Sequence, residues 1–181
     1  MPKIVITLIL MCIIFPTVVF ANANSNVIPC FTDLTWGESS NSVLQKYRLS
    51  KIPAYSGIRN ASMYNIQLDT PYIYDIRVLP TAYASFINDK LYSITVTYSL
   101  YGSDTDYDRF KQKLVAEFGE PDTVDTSTAY YEVSSWNKEI FYVVLTKSNI
   151  TFSNCELSKQ FKEELDISKG KNITDWSSYV H

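Results

Sequence analysis

Histidine is almost missing from this chain. Of 181 residues one is a histidine, His181, the last. Imidazole titrates nearest neutral pH and is the commonest acid–base and metal-ligating group. A Ser-His-Asp or Cys-His site is therefore excluded from the body of the chain, and so are the common zinc sites. Glycine is scarce as well, with five residues. Neither a Gly-x-Ser-x-Gly elbow nor a glycine-rich phosphate loop occurs. Charge of one sign gives no signal: 16 Lys and Arg stand against 19 Asp and Glu, a net charge of −3. With no basic stripe, nucleic acid is not an expected partner. Cysteine is limited to Cys12, Cys30 and Cys155.

What is present begins at the N-terminus. Lys3 precedes an apolar run over residues 4–20, and Ala21-Asn22-Ala23 is a small-residue cleavage site. The pattern predicts a cleaved signal peptide over 1–23, hence a periplasmic or secreted location with no permanent membrane anchor after cleavage. Cys12 lies inside the apolar run, between Leu10-Met11 and Ile13-Ile14, which is not how a lipidated cysteine is placed. Cys30 and Cys155 remain, and an oxidising compartment predicts a disulfide between them. Closing so long a loop is worth roughly 5 kcal/mol in chain-entropy estimates. Residues 24–168 are expected to form a single α+β domain, followed by a polar tail over 169–181 that carries Trp176 and Tyr179.

Within the domain, Trp36-Gly37-Glu38-Ser39 breaks an extended segment, and Ser39 caps a short helix whose stripe is Val43, Leu44 and Tyr47. Residues 51–60 read as a loop. Strands are predicted over 62–68, 72–79, 82–87 and 90–99, with Asn88-Asp89 as a tight turn. In the strand over 90–99, Tyr92, Ile94, Val96 and Tyr98 face one way, and Ser93, Thr95 and Thr97 the other. Residues 102–119 give the strongest helix: Tyr107, Phe110, Leu114 and Phe118 share a face, Asp104, Asp106 and Asp108 suit the positive end of the dipole, and Gly119 and Pro121 stop it. A hairpin follows around Asn137-Lys138, then a short strand over 150–153. A capping box at Ser153 and Glu156 starts a last helix with Leu157, Phe161 and Leu165 on one face. The fold class is α+β: an antiparallel sheet with helices packed on one face, one disulfide, and a pattern that admits two helix-plus-sheet units.

Chemistry is sought and mostly not found. Asp104, Asp106 and Asp108 match the first half of a calcium loop, but its sixth position is Arg109 and its twelfth Val115. Ser135 and Lys138 match Ser-x-x-Lys without the motif's partner sequences. Glu117 and Glu120, Glu132 and Glu139, and Glu163 and Glu164 are the carboxylate pairs, all in polar settings. Asn60, Asn149 and Asn172 head glycosylation triplets that matter only in a eukaryotic host. No catalytic residue, metal ligand or cofactor is implied. The one excess is aromatic, with 14 Tyr, 9 Phe and 3 Trp. Tyrosine joins apolar area to a polar tip and is enriched at interfaces. Tyr72, Tyr74, Tyr83 and Tyr92 are the candidate contacts of a binding face. The expected function is non-enzymatic binding of a protein partner, in an accessory, inhibitory or immunity role. The alternatives are a binder of small apolar ligands and a carboxylate-based hydrolase.

Three motifs carry a resemblance. The Trp36-Gly37-Glu38-Ser39 helix start, the hairpin Phe86-Ile87-Asn88-Asp89-Lys90-Leu91, and the helix end Phe118-Gly119-Glu120-Pro121 with Trp136 beyond it resemble small bacterial periplasmic proteins. More distantly the chain is similar to the outer-membrane assembly lipoproteins of the SmpA type and to the secreted β-lactamase inhibitor protein. The resemblance implies an α+β fold with helices on one face of an antiparallel sheet, and protein binding rather than catalysis. It transfers no functional residue, because the matching positions are turns and caps.

Overall fold

The computed structural model describes residues 26–53, 58–128 and 131–169. The predicted signal peptide, Cys12, the tail from residue 170 onward and His181 lie outside the described residues.

A short hairpin, β1 (Val27–Ile28) and β2 (Phe31–Thr35), leads through Trp36-Gly37-Glu38-Ser39 into α1 (Ser40–Lys46). Each residue of that motif has a mechanical task. Trp36 is buried in the core. Gly37 sits at φ +82°, where a Cβ is disfavoured. The Glu38 carboxylate accepts from the Thr35 N–H and the Ser42 hydroxyl and pairs with Lys46. Ser39 Oγ accepts the Ser42 N–H at 3.2 Å, which caps the helix.

Next come β3 (Leu49–Ile52), β4 (Ala61–Gln67), a two-residue-per-strand hairpin of β5 (Tyr72–Ile73) and β6 (Ile76–Arg77), then β7 (Thr81–Ile87) and β8 (Lys90–Thr97). Asn88 and Asp89, both at positive φ, make the tight turn between β7 and β8. Asp89 Oδ1 also accepts the Ser40 N–H at 3.0 Å, so the turn closes the start of α1. α2 (Asp104–Phe118) is capped by Ser103 and stopped by Gly119 at φ +83°. β9 (Thr123–Thr128), β10 (Tyr131–Asn137), β11 (Phe141–Leu145), β12 (Asn149–Asn154) and α3 (Cys155–Ser168) complete the described chain.

Eight strands form one sheet in the order β3-β4-β7-β8-β12-β11-β10-β9, each pair of neighbours antiparallel. Each half is a helix followed by four strands, and the β5–β6 hairpin is inserted in the first half. The halves meet where β8 pairs with β12, with Thr95 opposite Thr151. On one face Ile66, Ala84, Phe86, Ile94, Phe152, Val143 and Trp136 are buried beneath Val43 of α1 and Tyr107, Phe110 and Leu114 of α2. Tyr98 and Phe110 meet there with ring centroids 4.7 Å apart. Burying one such large side chain is worth about 1.5–3 kcal/mol.

Several expectations are corrected. The helices do not share one face. α3 lies on the other side of the sheet, where Leu157 and Phe161 pack on Ile87, Tyr92 and Ala61 in a separate cluster. Tyr92 is also not on the Ile94 face. Ser85 pairs with Ser93 and Phe86 with Leu91, so Tyr92 is an extra, bulged residue and turns toward α3. Residues 72–79 are not one strand, because Tyr74 and Asp75 both take positive φ and fold the segment back on itself. β3 lies partly inside the predicted loop, and β9 has no apolar alternation to announce it. The cap of α3 is Asn154, which accepts the Leu157 N–H at 2.9 Å, rather than Ser153. The expected disulfide is absent: Cys30 and Cys155 are both free. Cys30 occupies the β1–β2 turn beside Tyr74, and the Cys155 thiol donates to the Lys138 carbonyl at 3.6 Å, so the two sulfurs have separate partners.

Replacing the fully buried Phe152 at the seam by alanine is expected to cost about 3–5 kcal/mol. Val124→Ala, on the outermost strand with 47% exposure, should stay within about 0.5 kcal/mol. Urea unfolding of the two variants measures the difference.

Candidate functional site

The four predicted contact tyrosines do not converge. Tyr72 is 56% exposed on β5. Tyr74, in the left-handed turn that follows, is half-buried and donates its hydroxyl to Glu117 near the end of α2. Tyr83 is 40% exposed on β7, on the face that α3 partly covers. Tyr92 is buried and stacked on Phe161 at 5.1 Å. Two of the four are thus structural, and the other two project from different parts of the fold.

Two clusters bring a thiol and phenols together with carboxylates. Burial pushes the Cys30 thiol up to about 12; the contact with the Tyr74 hydroxyl opposes that rise, and the Glu117 charge adds to it. The group is a thiol at neutral pH, not a nucleophilic thiolate. In the second cluster, the Tyr107 hydroxyl donates to Glu132 at 2.9 Å and lies 2.8 Å from the buried Ser134 hydroxyl. Lys111 reaches Glu132 at 2.7 Å. Burial raises the Tyr107 hydroxyl to about 12; the Ser134 contact opposes that rise and Glu132 adds to it. A phenol held so far above neutrality acts as a tie between α2 and β10, not as a base.

The remaining motifs are structural too. Lys138 of the Ser-x-x-Lys match donates to the Phe118 carbonyl at 2.9 Å, closing the end of α2. Asp104 pairs with Lys147, and Asp106 accepts from the Ser103 hydroxyl and pairs with Arg109. Among the described residues no group of three or more His, Cys, Asp or Glu could hold a metal. The Glu38 carboxylate is nearly enclosed, its side chain 9% exposed, and is committed to Lys46, the Ser42 hydroxyl and the Thr35 N–H. Asn149 accepts from Thr97 within the sheet at 2.7 Å, whereas Asn60 is exposed in a turn. Asn172 lies outside the described residues.

Two features escape the sequence pattern. The first is the loop between β8 and α2, where Leu100 is 68% and Tyr101 97% exposed. Its base is braced. The Tyr98 and Ser103 N–H groups donate to the carbonyls of Ser148 and Lys147, each at 2.9 Å, and the Tyr98 hydroxyl donates to the Thr146 carbonyl. Gly102, at φ +80°, packs beside Lys147. A helix-capping serine and a turn glycine in the sequence mark the loop, but nothing marks its two apolar tips as outward.

The second is a row across the open sheet face. Register places Ser50 opposite Asn65, Asn65 opposite Tyr83, and Tyr83 opposite Thr95. From Thr95 the row runs on through Thr151, Val144, Ser135 and Thr123. It crosses all eight strands without a charged residue. Thr95 and Thr151 share a hydrogen bond at 3.0 Å, and the neighbouring Ser93 and Ser153 another at 2.9 Å. At the β3 end lies an open groove of about 290 Å³, lined by Arg48, Leu49, Ser50, Asn65, Gln67 and Thr81. Seeing either feature in advance would have required the strand register.

The Lys111, Tyr107 and Glu132 tie carries a pH signature. Lys111 first, then Tyr107, hold the Glu132 carboxyl below its usual 4.5. A depressed folded value makes the tie complete above about pH 4.5 and lost as pH falls through the lower folded value. Glu132 is partly exposed, so Glu132→Gln should cost only about 0.5–1 kcal/mol near neutrality. The variant's deficit should vanish as pH falls through the depressed folded value, as thermal unfolding against pH would record.

Comparison with known proteins finds no family model that matches the chain, no curated protein that matches it in sequence and no solved structure that matches it. The likeness to small periplasmic proteins therefore rests on its short motifs alone.

Proposed function

We propose that this is an exported, non-enzymatic protein, periplasmic or secreted, that binds a protein partner in an accessory, inhibitory or immunity role. The proposal includes no cofactor, no metal and no nucleic acid. The observation that carries it is the braced loop presenting Leu100 and Tyr101. Large apolar side chains held outward on a rigid support are the kind that anchor interfaces, because little freedom remains to be lost on binding. An exposed Leu–Tyr pair on a monomer otherwise costs solubility without return. Supporting the non-enzymatic part are a thiol and a phenol raised to about 12, and a nearly enclosed carboxylate, Glu38, already committed to Lys46, Ser42 and the Thr35 N–H. The groove at β3 is open rather than enclosed, which does not favour the apolar-ligand alternative.

The test is retention of a partner from extract of the source cells' exported fraction, followed by titration of the isolated partner. The native chain should retain one protein reproducibly. Truncating a hot-spot aromatic costs about 2 kcal/mol, so Tyr101→Ala should weaken that complex roughly thirtyfold. Glu132→Gln, a structural change away from the loop, should leave the affinity unchanged. A partner held equally well by Tyr101→Ala would overturn the reading.

A further inference from the structure

We infer that the open sheet face is a saccharide-binding surface, with the groove at the β3 end seating one sugar ring and the Tyr83 ring forming the platform beside it. The surface is separate from the Leu100–Tyr101 loop, and the inference stands on different observations.

The chemistry of the row selects the ligand. Apart from the aliphatic Val144, its side chains are hydroxyls and one amide, with one exposed aromatic ring and no charge. A charged ligand lying along the row would lose hydration and meet a fixed charge only at its groove end, where Arg48 stands. An apolar segment would strip water from Ser50 and Asn65 and leave their donors and acceptors unpaired, which costs about 1–3 kcal/mol each. A neutral polyhydroxylated chain has neither fault. Its hydroxyls donate and accept, as serine, threonine and amide side chains do. The apolar C–H face of a sugar ring suits Tyr83, 40% exposed between Asn65 and Thr95 in the row.

Geometry adds a seat. The groove of about 290 Å³ lies where Ser50, Asn65, Gln67 and Thr81 of three adjacent strands come together. Sites for small molecules begin at about 300 Å³, so one ring fits and a large ligand does not. Arg48 stands at its side, with no ion-pair partner among the described residues, and its five N–H groups are free to meet ring and hydroxyl oxygens. Neighbouring strands are about 4.8 Å apart, so the row spans roughly 34 Å and can follow several rings of an extended chain.

The probes are the neutral hexasaccharides of glucose (α- and β-linked), of mannose and of N-acetylglucosamine, titrated to about 10 mM into isotopically labelled chain and read by amide shifts, a range that captures Kd values into the millimolar. At least one should move the side-chain amides of Asn65 and Gln67 and the resonances of Tyr83 and Thr95. Tyr83→Ala and, as a shape-preserving second variant, Asn65→Asp should each weaken that binding at least about tenfold. Tyr101→Ala should leave it intact, which separates this surface from the partner-binding loop. Absence of shifts with every probe, or shifts that Tyr83→Ala and Asn65→Asp both leave unchanged, would overturn the inference.

Discussion

The pairing of β8 with β12 is the contact on which the rest depends. Each half of the molecule is a helix and four strands, too little to bury both the helix stripe and its own sheet face. The seam joins the halves so that Ile94 meets Phe152 and Val96 meets Ile150 on one side. On the other side it sets hydroxyl against hydroxyl, Ser93 with Ser153 and Thr95 with Thr151, and ties Thr97 to Asn149. The apolar pairs supply area and the polar pairs supply register. A slip of one residue would send Ile94 and Phe152 into the open face and bury the hydroxyls without partners.

One inserted residue organises what packs around that seam. The bulge at Tyr92 puts the consecutive residues Tyr92 and Ser93 on one side and returns Leu91 to the Ile94 face. Leu91 stays with the main core, and its backbone N–H and C=O bind Glu38 and Gly37, which docks the start of α1. Tyr92 turns to the other side and stacks on Phe161, which docks α3. α3 covers only one region of that face. Among the described residues, the hydroxyl row and the groove beyond it are therefore left uncovered by α3.

Much of the fold was legible because its signals are local. Val43, Phe110 and Leu114 fall on helical stripes, Ser39 and Gly119 are cap residues, and Asn88-Asp89 marks a tight turn. What failed was non-local or depended on a single backbone choice. Strict alternation over 72–79 predicts a strand, yet two left-handed residues at Tyr74 and Asp75 fold it into a hairpin. Alternation likewise puts Tyr92 with Ile94, and one bulge reverses it. An edge strand such as β9 needs no apolar face, so its Thr-rich sequence carries no period. The candidate site was hardly legible at all. Tyrosine count signals interface potential but not orientation: two of the four chosen tyrosines serve the interior, and Tyr101, the most exposed, sits in a loop with no pattern to select it.

If the seam unites the halves into one cooperative body, the amides of β8 and β12 should be the last to exchange. Native-state hydrogen exchange tests this most directly. The account predicts that residues 93–97 and 149–153 exchange together, at the rate of global unfolding, with strands on both sides no slower. Seam amides that exchange early, with the two halves protected to different extents, would contradict it.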